Sequence, residues 1–154
     1  MRTDIDFSSG EEAYKRAIRI LSRSSRGEHE LYAKLLDYGF TEEASAHALG
    51  KCVERGYADD FSYAESVARR MSRSGKGVYR VREYLKAKQV KDEAIEHALR
   101  EYETDEGKLQ RILDNYLKGR RSREDLKKAK AMLYRRGYRP EEIDKAIAEL
   151  PETE

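Results

Sequence analysis

The chain writes one pattern three times. Leu35–Leu49 reads LLDYGFTEEASAHAL, Leu85–Leu99 reads LKAKQVKDEAIEHAL, and Leu133–Ile147 reads LYRRGYRPEEIDKAI. Leu35, Leu85 and Leu133 share a column, as do Phe40, Val90 and Tyr138, and Ala48, Ala98 and Ala146. The step is 50 residues from Leu35 to Leu85 and 48 from Leu85 to Leu133. Upstream, Leu31, Val81 and Ala129 continue the match, and Ser22-Arg23-Ser24 aligns with Ser72-Arg73-Ser74 and Arg120-Arg121-Ser122. A fixed period of this length marks a repeat array. A unit of about 50 residues has a marginal core alone, so the units must lean on their neighbours.

Each unit reads as three helices, with no sustained alternation that would predict a strand. The spacing predicts helices near 11–23, 26–38 and 42–55, then 59–74, 77–88 and 91–102, then 105–118, 122–136 and 140–149. Ser8-x-x-Glu11, Ser9-x-x-Glu12 and Ser25-x-x-Glu28 have the capping-box layout, and Ser122-x-x-Asp125 resembles it. Thr41 precedes two acids, Gly39 and Gly56 stand where a left-handed C-cap is wanted, and Pro140 suits a first helical position. The expected fold is all-α: an elongated, curved array of three-helix repeats over 11–56, 57–104 and 105–150, with flexible ends at 1–10 and 151–154. By the compact-size rule, three such units in a row would reach about 70–80 Å.

Composition supports a thin array over a sphere, because 38% of residues are hydrophobic and 40% are charged. Helical periodicity of the apolar residues argues against disorder. Cys52 is the single cysteine, which rules out an intramolecular disulfide framework and fits a reducing compartment. No apolar run has the length of a membrane span, and the first ten residues do not resemble a secretory signal, so the expectation is a cytoplasmic, monomeric protein without a membrane partner.

Chemistry of catalysis is not written into the residues. His29, His47 and His97 fall on polar helix sides and Cys52 has no cysteine partner, so no metal and no other cofactor is expected. Ser74-Gly75-Lys76-Gly77 lacks the full phosphate-loop string and its preceding strand, and reads as a turn. Asp59-Asp60 reads as a helix cap with N-terminal acids, and Met71 and Met132 read as core.

The charge pattern is more informative than the net charge of +2. Arg69, Arg70, Arg73, Lys76, Arg80, Arg82, Lys86 and Lys88 lie in a stretch opposed only by Glu83. Lys118, Arg120, Arg121, Arg123, Lys127, Lys128, Lys130, Arg135 and Arg136 form a second stripe, opposed by Glu124 and Asp125. The third helices carry the acids, so a side-to-side separation of charge is expected. A basic face attracts phosphates or an acidic protein groove. Tyr79, Tyr84, Tyr134 and Tyr138 interleave with the arginines. They suit either stacking on bases or partial burial with the hydroxyl wet. The candidate site is therefore Arg23, Arg70, Arg73, Lys76, Arg80, Arg82, Arg120, Arg121, Arg123, Arg135 and Arg136. A helical-repeat protein that binds nucleic acid on its own is the competing reading.

Several strings resemble the RecX family, bacterial regulators of the RecA recombinase. Arg55-Gly56-Tyr57-Ala58-Asp59-Asp60-Phe61-Ser62-Tyr63-Ala64 is similar to its R-G-[YL]-x-[DN]-D-x-x-[FY]-A segment. Gly77 to Leu85 resembles its G-x-x-R-[IV]-x-x-x-L helix, Ser25 to Phe40 its opening segment, and Leu133 to Tyr138 its closing L-x-x-R-G-[FY]. The order and spacing cover about residues 12–150. Two positions depart: Val78 stands where relatives often have Pro, and Gln89 where they often have Gly. The resemblance implies a rod of three-helix repeats lying in the groove of a RecA–DNA filament and weakening ATP hydrolysis, strand exchange and co-protease activity. DNA would be a weak, salt-dependent partner, and no enzymatic activity is implied.

Overall fold

The computed structural model describes residues 4–152, and among them every regular element is a helix. The order is α1 (Gly10–Arg23), α2 (Glu28–Tyr38), α3 (Glu42–Glu54), α4 (Asp60–Arg73), α5 (Val78–Ala87), α6 (Asp92–Arg100), α7 (Glu106–Leu117), α8 (Arg123–Arg135) and α9 (Pro140–Ala148). Residues 1–3 and 153–154, part of the ends expected to be flexible, lie outside the described residues.

Local sequence accounts for most helix starts. The hydroxyls of Ser9 and Thr41 accept the amides of Glu12 and Ala44 at 3.2 and 3.1 Å. Ser122 and Asp125 make a reciprocal capping box, and Pro140 opens α9. Ser25 does not cap α2: the N-cap is Gly27, without a side-chain bond of its own. The missing acceptor comes from 32 residues away, where Asp60 Oδ1 takes the Glu28 amide at 2.8 Å.

The chain divides into two compact units, and the division cuts across α4, α5 and α6 rather than falling between repeats. One unit runs as far as Ala64 and takes in Leu85–Ile95; the other contains Glu65–Tyr84 and the chain from Glu96 onward.

The first unit is built on Ala13, Ala17, Leu31, Leu35, Phe40, Ala44, Ala48, Cys52 and Ala58. Phe7 closes one side of it, with its ring 5.4 Å from that of Phe40 and its carbonyl accepting the Thr41 amide at 2.9 Å. Asp60 is 1% exposed. Its second oxygen accepts the Lys91 amide at 2.9 Å, so one carboxylate satisfies the starts of both α2 and α6. Asp59 does the local work expected of the pair, accepting the Phe61 amide and the Ser62 hydroxyl. Ion pairs Lys91–Glu28 (3.0 Å) and Lys88–Glu30 (3.5 Å) border this junction.

The second unit is built on Leu109, Leu113, Leu117, Ala129, Leu133, Tyr138, Ile143 and Ala146. Here the turn between α4 and α5 is fastened to the turn between α8 and α9. Gly77 donates its amide to the Arg136 carbonyl at 2.8 Å, and Tyr79 donates to Gly137 at 3.1 Å. The Tyr102 hydroxyl donates to the Lys76 carbonyl and pins the same turn from the segment just after α6.

The two fastenings occupy equivalent repeat positions. Gly27 and Gly77 align, as do Val90 and Tyr138, and each glycine lies against its aligned partner. The third repeat has Asp125 at the glycine position, and α8 begins three residues earlier in register than α2 and α5. Asp125 is committed there to its own capping box.

Candidate functional site

Ten of the eleven expected site residues belong to the second unit. Arg70 and Arg73 lie in the last turn of α4, Lys76 in the following turn, and Arg80 and Arg82 on α5. Arg120 and Arg121 lie between α7 and α8, Arg123 opens α8, Arg135 ends it, and Arg136 is its C-cap. Arg23 ends α1 in the first unit and is exposed.

The glycine fastening is what gathers them. A Cβ on Gly137 would lie 2.4 Å from Arg80 Cγ, so Arg80 is laid directly across that turn. Arg136 Nη1 reaches the Gly75 carbonyl at 3.4 Å. Lys76 and Arg80 from one repeat are thereby held beside Arg135 and Arg136 from the next. The sequence suggests a different alignment, with first-to-second turns of successive repeats in a row. The structure instead pairs a first-to-second turn with a second-to-third turn, where Gly77 and Gly137 let two backbones touch.

The arginines are not equivalent in what they have left to offer. Arg82 is ion-paired with Glu96 across α5 and α6. Arg80 stands 3.7 Å from Glu83, both well exposed, a pairing that solvent screens. Arg120 turns back to the Leu117 and Tyr116 carbonyls at 2.9 and 2.8 Å, covering the end of α7, and Arg121 donates to the Arg120 carbonyl. Arg70, Arg73, Arg123 and Arg135 are exposed and make no ion pair among the described residues. The expected separation of basic and acidic sides is incomplete, since Arg82–Glu96 and Lys130–Asp144 (3.6 Å) join second helices to third ones.

The four tyrosines divide. Tyr138 is 1% exposed and belongs to the core, and burial pushes its hydroxyl up to about 12. Tyr84 is half-buried. Tyr79 and Tyr134 are 48% and 63% exposed and stand beside the fastening. Burial likewise raises Tyr102 above the ordinary tyrosine value.

A cleft of about 660 Å³ opens beside α4 and α6, lined by residues that include Glu65, Arg69, Arg73, His97, Glu101 and Glu103. His97 Nε2 lies 3.0 Å from Glu65 in it. Charges of both signs line it. Among the described residues no group of three or more His, Cys, Asp or Glu could hold a metal ion, and no helix is long and apolar enough to cross a membrane. Cys52 is buried in the first core, and burial raises its thiol.

Comparison with known proteins agrees with this architecture. Residues 13–52 match the family description "RecX, first three-helix domain", and residues 59–99 match "RecX, second three-helix domain". The Regulatory protein RecX of Vibrio vulnificus is 34% identical over 137 residues, covering 86% of this chain and 89% of that one. That of Caldanaerobacter subterraneus subsp. tengcongensis is 31% identical over 143 residues, covering 93% and 73%. The crystal structure of RecX from Lactobacillus salivarius superposes with a TM-score of 0.78 at 26% identity, covering 92% of this chain and 96% of that one. Family match, identity along most of the chain and shared fold coincide, and the chain belongs to the RecX family.

Proposed function

We propose that this chain is a regulator that binds RecA–DNA filaments and lowers RecA ATP hydrolysis, strand exchange and co-protease activity, acting by attachment and not by catalysis. The observation that carries the reading is the similarity to proteins named Regulatory protein RecX along 86% of the chain. The basic surface supplies a physical means. Among the described residues Arg70, Arg73, Arg123 and Arg135 have no ion pair to break before meeting a phosphate or a carboxylate. The backbones that carry Lys76, Arg80 and Arg136 are held by hydrogen bonds, so little main-chain ordering is needed on binding.

The test is ATP hydrolysis by RecA on single-stranded DNA while this protein is titrated in, with co-sedimentation of the filament alongside. Inhibition and co-sedimentation are expected. Replacing Arg70, Arg73, Arg123 and Arg135 together by Glu should weaken filament binding at least about tenfold at moderate salt, with helicity by circular dichroism unchanged. Absence of inhibition and of co-sedimentation at every ratio would overturn the reading.

A further inference from the structure

We infer that Tyr79 and Tyr134 form a base-stacking platform, flanked by Lys76, Arg80 and Arg135, through which this chain binds single-stranded nucleic acid directly. The inference goes beyond electrostatic attachment to a filament and rests on a different observation, the exposure of these two rings.

Tyr134 is 63% exposed and Tyr79 is 48% exposed, whereas Tyr138 in the same segment is 1% exposed. Core packing therefore claims one of these tyrosines and leaves the other two at the surface. Their backbones are joined through a single residue. Tyr79 donates its amide to the Gly137 carbonyl at 3.1 Å, and Gly137 donates its own to the Tyr134 carbonyl at 2.9 Å. Tyr79 lies in the first turn of α5 and Tyr134 in the last turn of α8, so the two rings stand on helix ends whose backbones are held together through Gly137, and a held backbone needs little ordering on contact.

The surrounding charge favours nucleic acid over a protein groove. Lys76, Arg80, Arg135 and Arg136 stand at this turn, and the exposed Glu83 lies 3.7 Å from Arg80. A polyanion with exposed aromatic faces meets both features, since every base has a face to stack and every linkage a phosphate to neutralise. Duplex DNA hides the faces, so the single strand is the form that fits.

The experiment measures binding of a 20-nucleotide oligothymidylate, and of an abasic 20-mer with the same phosphates, by fluorescence anisotropy without RecA. Oligothymidylate should bind about 5- to 100-fold more tightly than the abasic strand. Tyr134→Ala and Tyr79→Ala should each shrink that preference, while Tyr134→Phe and Tyr79→Phe, which keep the ring, preserve it. Arg80→Gln and Arg135→Gln should each lower the salt slope by about 0.7 and leave the preference intact. Equal affinity for the two strands, Ala variants that match the parent, or no binding to either strand would overturn the proposal. RecA inhibition measured on the same variants separates the two readings. Inhibition that persists without base preference sinks only the platform, and base preference that persists without inhibition sinks only the filament regulator.

Discussion

Gly77 and Gly137 touch backbone to backbone: a Cβ placed on Gly77 would lie 2.2 Å from the Gly137 carbonyl carbon and 2.3 Å from its oxygen. No rotamer relieves that overlap, because the obstacle is main chain. Gly77→Ala should therefore destabilise the protein by about 3 kcal/mol, the upper end for overpacking. The aligned Gly27→Ala meets only ordinary contacts, the nearest being Asp60 Oδ1 at 3.4 Å, and should change stability by less than about 1 kcal/mol. Urea denaturation of the two variants checks the contrast. Equal effects would show that the fastening at Gly77 is not required.

Asp60 serves two helix starts with two oxygens, accepting from Glu28 and from Lys91. Asn at this position keeps one acceptor and turns an amide donor toward the other N–H. Asp60→Asn should cost about 1–3 kcal/mol and Asp60→Ala more, since both helix-start amides then lose their acceptor. Asp59→Ala removes a local cap and should cost about 1 kcal/mol. Chemical denaturation that ranks Asp59 above Asp60 would contradict the long-range bridge.

Gln89 sits at φ 55, a left-handed conformation that strains a residue with a Cβ. Its aligned counterparts Gly39 and Gly137 have φ 124 and 95. Gln89→Gly should stabilise the protein by about 1 kcal/mol, and the midpoint of thermal unfolding should rise accordingly. An unchanged or lowered midpoint would show that the Gln89 side chain compensates its backbone.

The Tyr138 hydroxyl is buried without a hydrogen-bond partner among the described residues, and its ionisation is pushed up to about 12 by that burial. The folded state holds the proton more tightly than the unfolded chain, whose tyrosine titrates near 10. Above that pH the unfolded state binds fewer protons, so stability falls as pH rises. The contribution is complete below about pH 10 and is lost between about 10 and 12. Tyr138→Phe should flatten this part of the alkaline decline and leave neutral stability unchanged or slightly raised, because an unsatisfied hydroxyl is removed. An alkaline profile identical to the parent would place the titration elsewhere, with Tyr102 next in line.

The helices were legible because their signals are local. Apolar spacing placed all nine segments among the described residues within a few positions, and Ser9, Thr41, Ser122 and Pro140 act at the starts their residue types imply. Ser25 is not the cap of α2: the helix starts after Gly27, and the Glu28 amide is served by the Asp60 carboxylate from another helix. Nothing within α2 points to Asp60. The basic residues were likewise visible as types and positions. Which of them are spent on Glu96 or on helix carbonyls was not, since those partners are set by packing.

By itself the sequence determined the all-helical character, a pattern written three times, the approximate helix boundaries and the presence of two basic stretches. Each follows from residue spacing and from capping chemistry that acts within a turn or two. Tertiary structure alone decided how the repeats are fastened. It sent Asp60 to two distant helices, laid Gly77 on Gly137, buried Tyr138 and left Tyr79 and Tyr134 outside. The physical reason is that these outcomes depend on backbone approach and burial between residues 31 to 61 positions apart, which no local preference encodes.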